Sequence, residues 1–87
     1  MRLTCEFIMR EVAGETILVP VGSTALKFNG IITLEPVGTL IWKGIECGKD
    51  REAILQQILD EFDVELRTAE SDLDAFLQQL REKGFLE

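Results

Sequence analysis

Serine and cysteine, the commonest catalytic nucleophiles, are few in this sequence: two serines, Ser23 and Ser71, and two cysteines, Cys5 and Cys47. Nucleophilic catalysis by any of them needs a neighbouring base that titrates near neutral pH, and that base is most often histidine. The chain has no histidine and no tyrosine. Because Ser23 stands among loop-forming residues and Ser71 near the start of a predicted helix, both have structural explanations. We therefore expect a protein that is not an enzyme.

The sequence also lacks the residue patterns of metal-binding and phosphate-binding sites. A protein zinc site needs about four ligands drawn from Cys, His and carboxylate, and two scattered cysteines do not supply them. A reducing cytosol favours free thiols over a Cys5–Cys47 disulfide, although the sequence leaves the state of both open. The stretch GIECGKD lacks the spacing of a phosphate-binding loop. The sequence predicts no metal site and no cofactor.

Carboxylates are abundant, and they are concentrated in the second half of the chain. The charges of residues 1–34 cancel, so the whole net charge of −7 lies in residues 35–87. Between Asp60 and Asp74 there are seven carboxylates and one base, Arg67. A calcium loop would need a central glycine, and this segment has none. We interpret it as a solvated acidic surface that repels phosphate backbones, which argues against nucleic-acid binding.

Composition indicates one small soluble domain spanning residues 1–87. Apolar residues make up 46% and charged residues 29%, which is ordinary for a globular protein. No apolar run approaches the roughly 20 residues that cross a bilayer. The first fifteen residues lack the apolar stretch of a signal peptide, so the expected location is the cytoplasm and no membrane partner is expected.

Three strands are predicted in the first part of the chain. FIMREV (7–12) and TILVPV (16–21) are rich in β-branched residues, and Gly14 between them suits the turn of an antiparallel hairpin. GSTALKFNG has several breakers and is expected to form a loop with one irregular turn. IITL (31–34) is then a third strand that Pro36 ends.

Three helices are predicted in the second part. Val37, Ile41 and Ile45 give one apolar face to a helix over 36–46, with Trp42 near its margin. Asp50 is a candidate N-cap for a second helix near 51–62. Thr68 is a candidate cap for a third helix, which Gly84 ends. The chain is therefore expected to be an α+β domain with a three-stranded antiparallel sheet followed by three helices.

The third strand is the natural place for binding. If the first two strands form the hairpin, one side of the third keeps unpaired N–H and C=O groups. Such an edge can accept an extended peptide as an added strand. It can also pair or swap with a second copy of the chain, so a monomer and an edge-paired or swapped homodimer both stay open.

Three stretches together resemble the PqqD-like family of peptide chaperones, whose domain is also called the RiPP recognition element. They are REVAGETILVPVG, FNGIITLEPVGTLIW and FDVELRTAESDLDAFLQQLREKGFLE. The most telling features are Leu-X-Pro-X-Gly after a strand, the Ile-Trp pair that follows, and a last helix ending in Gly-Phe-Leu. Position 35 is Glu where the family commonly has Asn or Asp, which cap helices better.

The resemblance implies a winged-helix-like fold that binds the leader segment of a ribosomally made precursor peptide. It also implies presentation of that peptide to a modifying enzyme, commonly a radical SAM protein. In the family the leader adds beside the third strand and packs against the third helix. Carried onto this sequence, the peptide-binding residues would be Ile31, Ile32, Thr33 and Leu34 for backbone pairing, and Asp72, Leu73, Phe76, Leu77 and Leu80 for the wall and floor.

One alternative of a different class stays open. A small sheet with three helices is also the plan of winged-helix proteins that bind DNA or regulate transcription. In those proteins the second helix of the helix-turn-helix pair presents basic residues to the major groove. This chain places carboxylates there, so a nucleic-acid-binding or regulatory winged-helix protein is the weaker hypothesis.

Overall fold

The computed structural model describes all residues from 1 to 87 and contains three strands and four helices. The elements are, in chain order, β1 (Phe7–Val12), β2 (Glu15–Pro20), α1 (Gly22–Lys27), β3 (Ile32–Leu34), α2 (Pro36–Glu46), α3 (Arg51–Glu61) and α4 (Leu66–Glu82). The predicted α+β plan of a three-stranded antiparallel sheet followed by three helices is confirmed. The short helix α1 is an addition to it.

The sheet has the order β1-β2-β3, and both pairs of neighbours are antiparallel. Val12 is paired with Glu15, so only Ala13 and Gly14 form the turn between β1 and β2. Both have positive φ, 52° and 81°, as a two-residue type I′ hairpin turn requires. This tight turn explains why β2 begins at Glu15, one residue before the predicted start.

Helix α1 corrects the prediction of a loop between β2 and β3. Thr24 in this helix is 7% exposed, and its hydroxyl accepts a hydrogen bond of 2.8 Å from the N–H of Glu6. The N–H of Val21 donates to the carbonyl of Glu6 as well. These contacts with the residues before β1 stabilise α1, although its six-residue sequence begins with Gly22 and Ser23, which disfavour a helix.

The core lies between one face of the sheet and helices α2, α3 and α4. Leu18 from β2, Ile41 from α2, Ile54 from α3 and Leu73 from α4 are all at most 1% exposed. Trp42 was predicted near the margin of the apolar face of its helix, and it is more deeply buried than that position suggests. Its side chain is fully buried and meets the ring of Phe7 edge-on, with 5.7 Å between ring centroids.

Two helix starts were predicted from capping residues, and one of them is correct. The Asp50 carboxylate accepts a hydrogen bond of 2.9 Å from the N–H of Ala53 and caps α3. Thr68, by contrast, does not cap α4, because that helix begins at Leu66 with Glu65 as its N-cap. Glu, Leu and Arg are good helix formers, so the helix extends one turn beyond the expected start.

The two ends of the chain pair with each other. Leu3 and Leu86 form an antiparallel bridge, the N–H of Thr4 donates to the carbonyl of Phe85, and Arg2 forms an ion pair with Glu87. Phe85 thereby packs against Phe7 and Phe28, with ring centroids 5.2 and 5.5 Å away. None of the helices has the length and apolar character needed to pass through a membrane.

Candidate functional site

Strand β3 lies at an edge of the sheet. Its residues Ile32, Thr33 and Leu34 pair with Leu18, Ile17 and Thr16 of β2 on one side, and no strand of the chain pairs with the other side. The side chains alternate as expected of a strand, with Leu34 buried, Ile32 half-buried and Thr33 exposed. Ile31 precedes the strand and is 55% exposed. The outer edge of β3 therefore has free backbone groups.

Beside this edge is an open groove of about 490 Å³ between β3, the start of α2 and α4. It is lined by Thr33, Leu34, Glu35, Val37, Gly38, Ile41, Asp72, Ala75, Phe76 and Gln79. Five of these ten residues are hydrophobic. Its volume is within the roughly 300–1,000 Å³ of known ligand sites, and its lining includes polar side chains as well as apolar ones.

The junction between β3 and α2 forms one end of the groove. Pro36 is the first residue of α2, so the strand passes into the helix through Glu35 alone. The Glu35 carbonyl accepts hydrogen bonds from the backbone N–H (2.8 Å) and hydroxyl (3.0 Å) of Thr39. The Glu35 carboxylate makes no capping bond, consistent with the weaker capping expected of Glu. This side chain is therefore free to face solvent.

Gly38 allows α2 and the Phe76 ring to approach closely. A Cβ atom at position 38 would lie 3.1 Å from Cε2 of Phe76 and 3.7 Å from Cδ2 of Leu34. With any other residue here, the half-buried ring would have to move by a few tenths of an ångström. The absence of a side chain at position 38 therefore leaves room for Phe76, which forms part of the groove wall.

Helix α4 supplies the opposite wall. Asp72, Ala75, Phe76 and Gln79 are spaced i, i+3, i+4 and i+7, so they share one face of the helix. Leu73, Leu77 and Leu80 lie on the neighbouring face and are 0%, 2% and 5% exposed. The helix thus divides its residues between the groove and the core.

The structure brings together four of the nine predicted binding residues in the groove lining: Thr33, Leu34, Asp72 and Phe76. Ile32 is in β3 and Ile31 directly precedes it, but both are outside the lining. Leu73, Leu77 and Leu80 belong to the buried core. Six lining residues were not predicted, namely Glu35, Val37, Gly38, Ile41, Ala75 and Gln79. The glycine inside a helical pattern was the one available signal for a close approach.

The charges of α4 are paired on one side of the helix and unpaired on the other. Arg51 donates to the Asp74 carboxylate at 2.8 Å and lies 3.8 Å from Glu70. The hydrogen bond from Arg51 lowers the pKa of Asp74. The groove residues Glu35 and Asp72 form no ion pair with any Lys or Arg. The two groove carboxylates are therefore unpaired, as are most of the carboxylates of this chain.

A second, smaller cavity of about 340 Å³ lies between α1 and the paired chain ends. Cys5 contributes to its lining, and burial together with the nearby Glu46 charge raises the pKa of this thiol to about 11. Cys5 and Cys47 are not bonded to each other. No group of three or more His, Cys, Asp or Glu side chains is arranged to hold a metal ion.

Comparison with known proteins gives one family and one close structural match. The family model of coenzyme PQQ synthesis protein D (PqqD) matches residues 15–86. The structure of TbiB1 in complex with the TbiA(beta) leader peptide has 30% sequence identity with this chain and a TM-score of 0.77. That match covers 100% of this chain and 95% of TbiB1. No curated protein sequence matches the chain.

Proposed function

This chain belongs to the PqqD family, and from that premise we propose that it binds the leader segment of a ribosomally synthesised precursor peptide. The support comes from family membership and from TbiB1, a protein of the same fold and 30% identity that was solved with a leader peptide bound. The free outer edge of β3 beside the groove is the observation on which the proposal depends.

The binding mode that this geometry favours is strand addition. An extended leader would pair with the outer edge of β3 and become a fourth strand, and its main-chain hydrogen bonds would fix the register. Alternate leader side chains would then point into the groove, because successive side chains of a strand face opposite sides. Pockets for those side chains would supply the specificity.

The proposed contacts divide into two groups. Residues 31–34 would meet the leader backbone, while Asp72 and Phe76 would form the wall that its side chains touch. Leu73, Leu77 and Leu80 have at most 5% of their surface exposed, so we assign them to the core that holds α4 in place. Their contribution to binding would be to position Phe76.

No reaction is needed on this protein. The groove lining has no histidine and no cysteine, so the chemistry would belong to a partner, commonly a radical SAM enzyme in this family, that receives the leader. A disordered leader loses conformational entropy when it becomes a strand, and we therefore expect micromolar to high-nanomolar affinity. Such affinity suits a chaperone that presents a peptide and then releases it.

The direct test is titration of the ¹⁵N-labelled chain with a synthetic leader from the precursor gene nearest its own. We expect amide resonances of residues 31–34 and 72–80 to shift, and slowed hydrogen exchange at the outward-facing amides of β3. A peptide of the same composition in scrambled order is the control. Shifts confined to other surfaces, or produced by duplex DNA alone, would contradict the proposal.

Strand addition itself is tested on the ligand, which leaves the protein fold intact. In an antiparallel pair only alternate residues of the added strand direct their N–H groups toward the partner. Leaders carrying one N-methyl group each should therefore lose affinity at every second position and keep it at the positions between. Uniform tolerance along the leader would mean that side chains alone hold it.

A further inference from the structure

The groove has two ionisable residues, and both are carboxylates without a partner. Glu35 and Asp72 are exposed, and neither is in an ion pair. This differs from Glu70 and Asp74 on the same helix, which Arg51 neutralises. Most carboxylates of this chain are unpaired. Glu35 and Asp72 are distinguished by their place, because they line a groove whose ten residues include no Lys or Arg.

A peptide lying in the groove would remove water from these carboxylates. Partial burial of an unpaired charge is unfavourable, and an acidic side chain on the peptide would add repulsion. A lysine or arginine on the peptide would replace the lost water and favour the bound state. Its attraction would be reinforced by the net charge of −7, all of which lies in residues 35–87.

The spacing of the wall residues sets where that base belongs. Asp72 and Phe76 are four residues apart on a helix, a separation of about 6 Å along its axis at the usual rise per residue. Side chains two residues apart on an extended peptide face the same way and are about 6.6 Å apart. A peptide running beside α4 can therefore place an apolar side chain on Phe76 and its second neighbour on Asp72.

Building on the proposed function, we infer that this chain selects leaders with a lysine or arginine two residues from an apolar anchor. The anchor lies against Val37, Gly38 and Phe76 in the groove lining. The base lies against Asp72, with Glu35 adding to the negative potential of the groove. Asp72 is in this view a residue that determines specificity.

The experiment is selection of phage-displayed random twelve-residue peptides on three forms of the full chain: wild type, Asp72→Lys and Asp63→Lys. The wild type should enrich peptides with Lys or Arg two positions from an aliphatic or aromatic residue. The peptides enriched on Asp72→Lys should have Asp or Glu at the position where the wild type selects Lys or Arg. Asp63→Lys is the matched control, because Asp63 is exposed, outside the groove and unpaired, and it should retain the wild-type preference.

Binding measurements on synthetic versions of the enriched peptides give the contribution of Asp72 to the affinity. An exposed ion pair contributes little, so Asp72→Asn should weaken their binding by about two- to fivefold in Kd. The same loss should occur for wild type when the peptide base is replaced by glutamine, and the two losses should not add. Higher salt should reduce the difference between the charged and neutral peptides.

The possible failures separate the two proposals. Peptides that shift residues 31–34 but show no basic preference, or a preference that Asp72→Lys leaves unchanged, would overturn the inference and keep the proposed function. If no peptide is enriched, or if the enriched peptides leave residues 31–34 unshifted, both the inference and the proposed function are overturned.

Discussion

At the scale of single residues, the two thiols have different surroundings. Cys47 is exposed, whereas Cys5 is half-buried and its Sγ donates a hydrogen bond to the carbonyl of Phe85 at 3.6 Å. Burial, assisted by the Glu46 charge, raises the pKa of Cys5 from 9.0 to about 11. Because the thiolate is the reactive form, Cys5 is protected at neutral pH in the folded state.

We therefore expect one fast-reacting thiol per chain in a disulfide-exchange assay at pH 8, and a second only after unfolding. Cys47→Ala should remove the fast phase alone. The raised pKa also makes the contribution of Cys5 to folding pH-dependent, present below pH 9.0 and lost as the pH rises through about 11. Urea unfolding should show a steeper fall for wild type than for Cys5→Ala over this range, and equal slopes would contradict it.

Individual residues of the groove were only partly accessible to sequence reasoning. Asp72 and Phe76 followed from the family resemblance, and both line the groove. Gly38 and Glu35 did not, because their roles depend on the distance between α2 and α4, which the sequence does not encode locally. A Cβ at position 38 would lie 3.1 Å from the Phe76 ring only because the two helices are packed together.

At the scale of elements, the Asp50 cap offers a clean measurement. Its carboxylate accepts from the N–H of Ala53 and begins α3. Asp50→Ala should lower the free energy of unfolding by about 1 kcal/mol, the usual cost of losing an N-cap. Chemical denaturation followed by circular dichroism measures it.

The control for that prediction is Asp60→Ala at the other end of the same helix. Asp60 is exposed and unpaired, and a carboxylate near a helix C-terminus is not stabilising. Its removal should leave the free energy of unfolding unchanged or slightly higher. Equal losses for the two variants would mean that the hydrogen bond to Ala53 contributes nothing.

Elements with local signals were predictable, and elements that depend on distant contacts were not. Pro36 and Asp50 indicated the starts of α2 and α3, and both are correct. Helix α1 was missed because the Glu6 backbone that bonds to Thr24 is 18 residues away in sequence. Burial of Trp42 was missed for a similar reason, since Phe7 covers it from the sheet.

At the scale of the whole molecule, the chain ends complete the core. Phe85 is 8% exposed and packs between Phe7 and Phe28. Phe85→Ala should cost about 3–5 kcal/mol, a large share of the roughly 5–15 kcal/mol typical of small domains. Urea unfolding followed by Trp42 fluorescence reports on this change, because Trp42 is fully buried in the folded state.

Leu26→Ala is the matched control, since Leu26 is 88% exposed on α1. A surface substitution of this kind should change the free energy of unfolding by less than about 0.5 kcal/mol. If Phe85→Ala lowered the free energy of unfolding as little as Leu26→Ala, the paired chain ends would contribute nothing to the stability of the core.

The shortness of β3 has a kinetic consequence. In an antiparallel sheet, alternate residues direct both their N–H and their C=O to the same side of the strand. Of the three residues of β3, only one or two therefore direct these groups to the free edge. Each such hydrogen bond contributes about 0.5–1.5 kcal/mol. Backbone pairing alone would therefore give a bound peptide a short lifetime on the protein. If a leader pairs with this edge as proposed, it would dissociate quickly, and one copy of the chain would bind many leaders in succession.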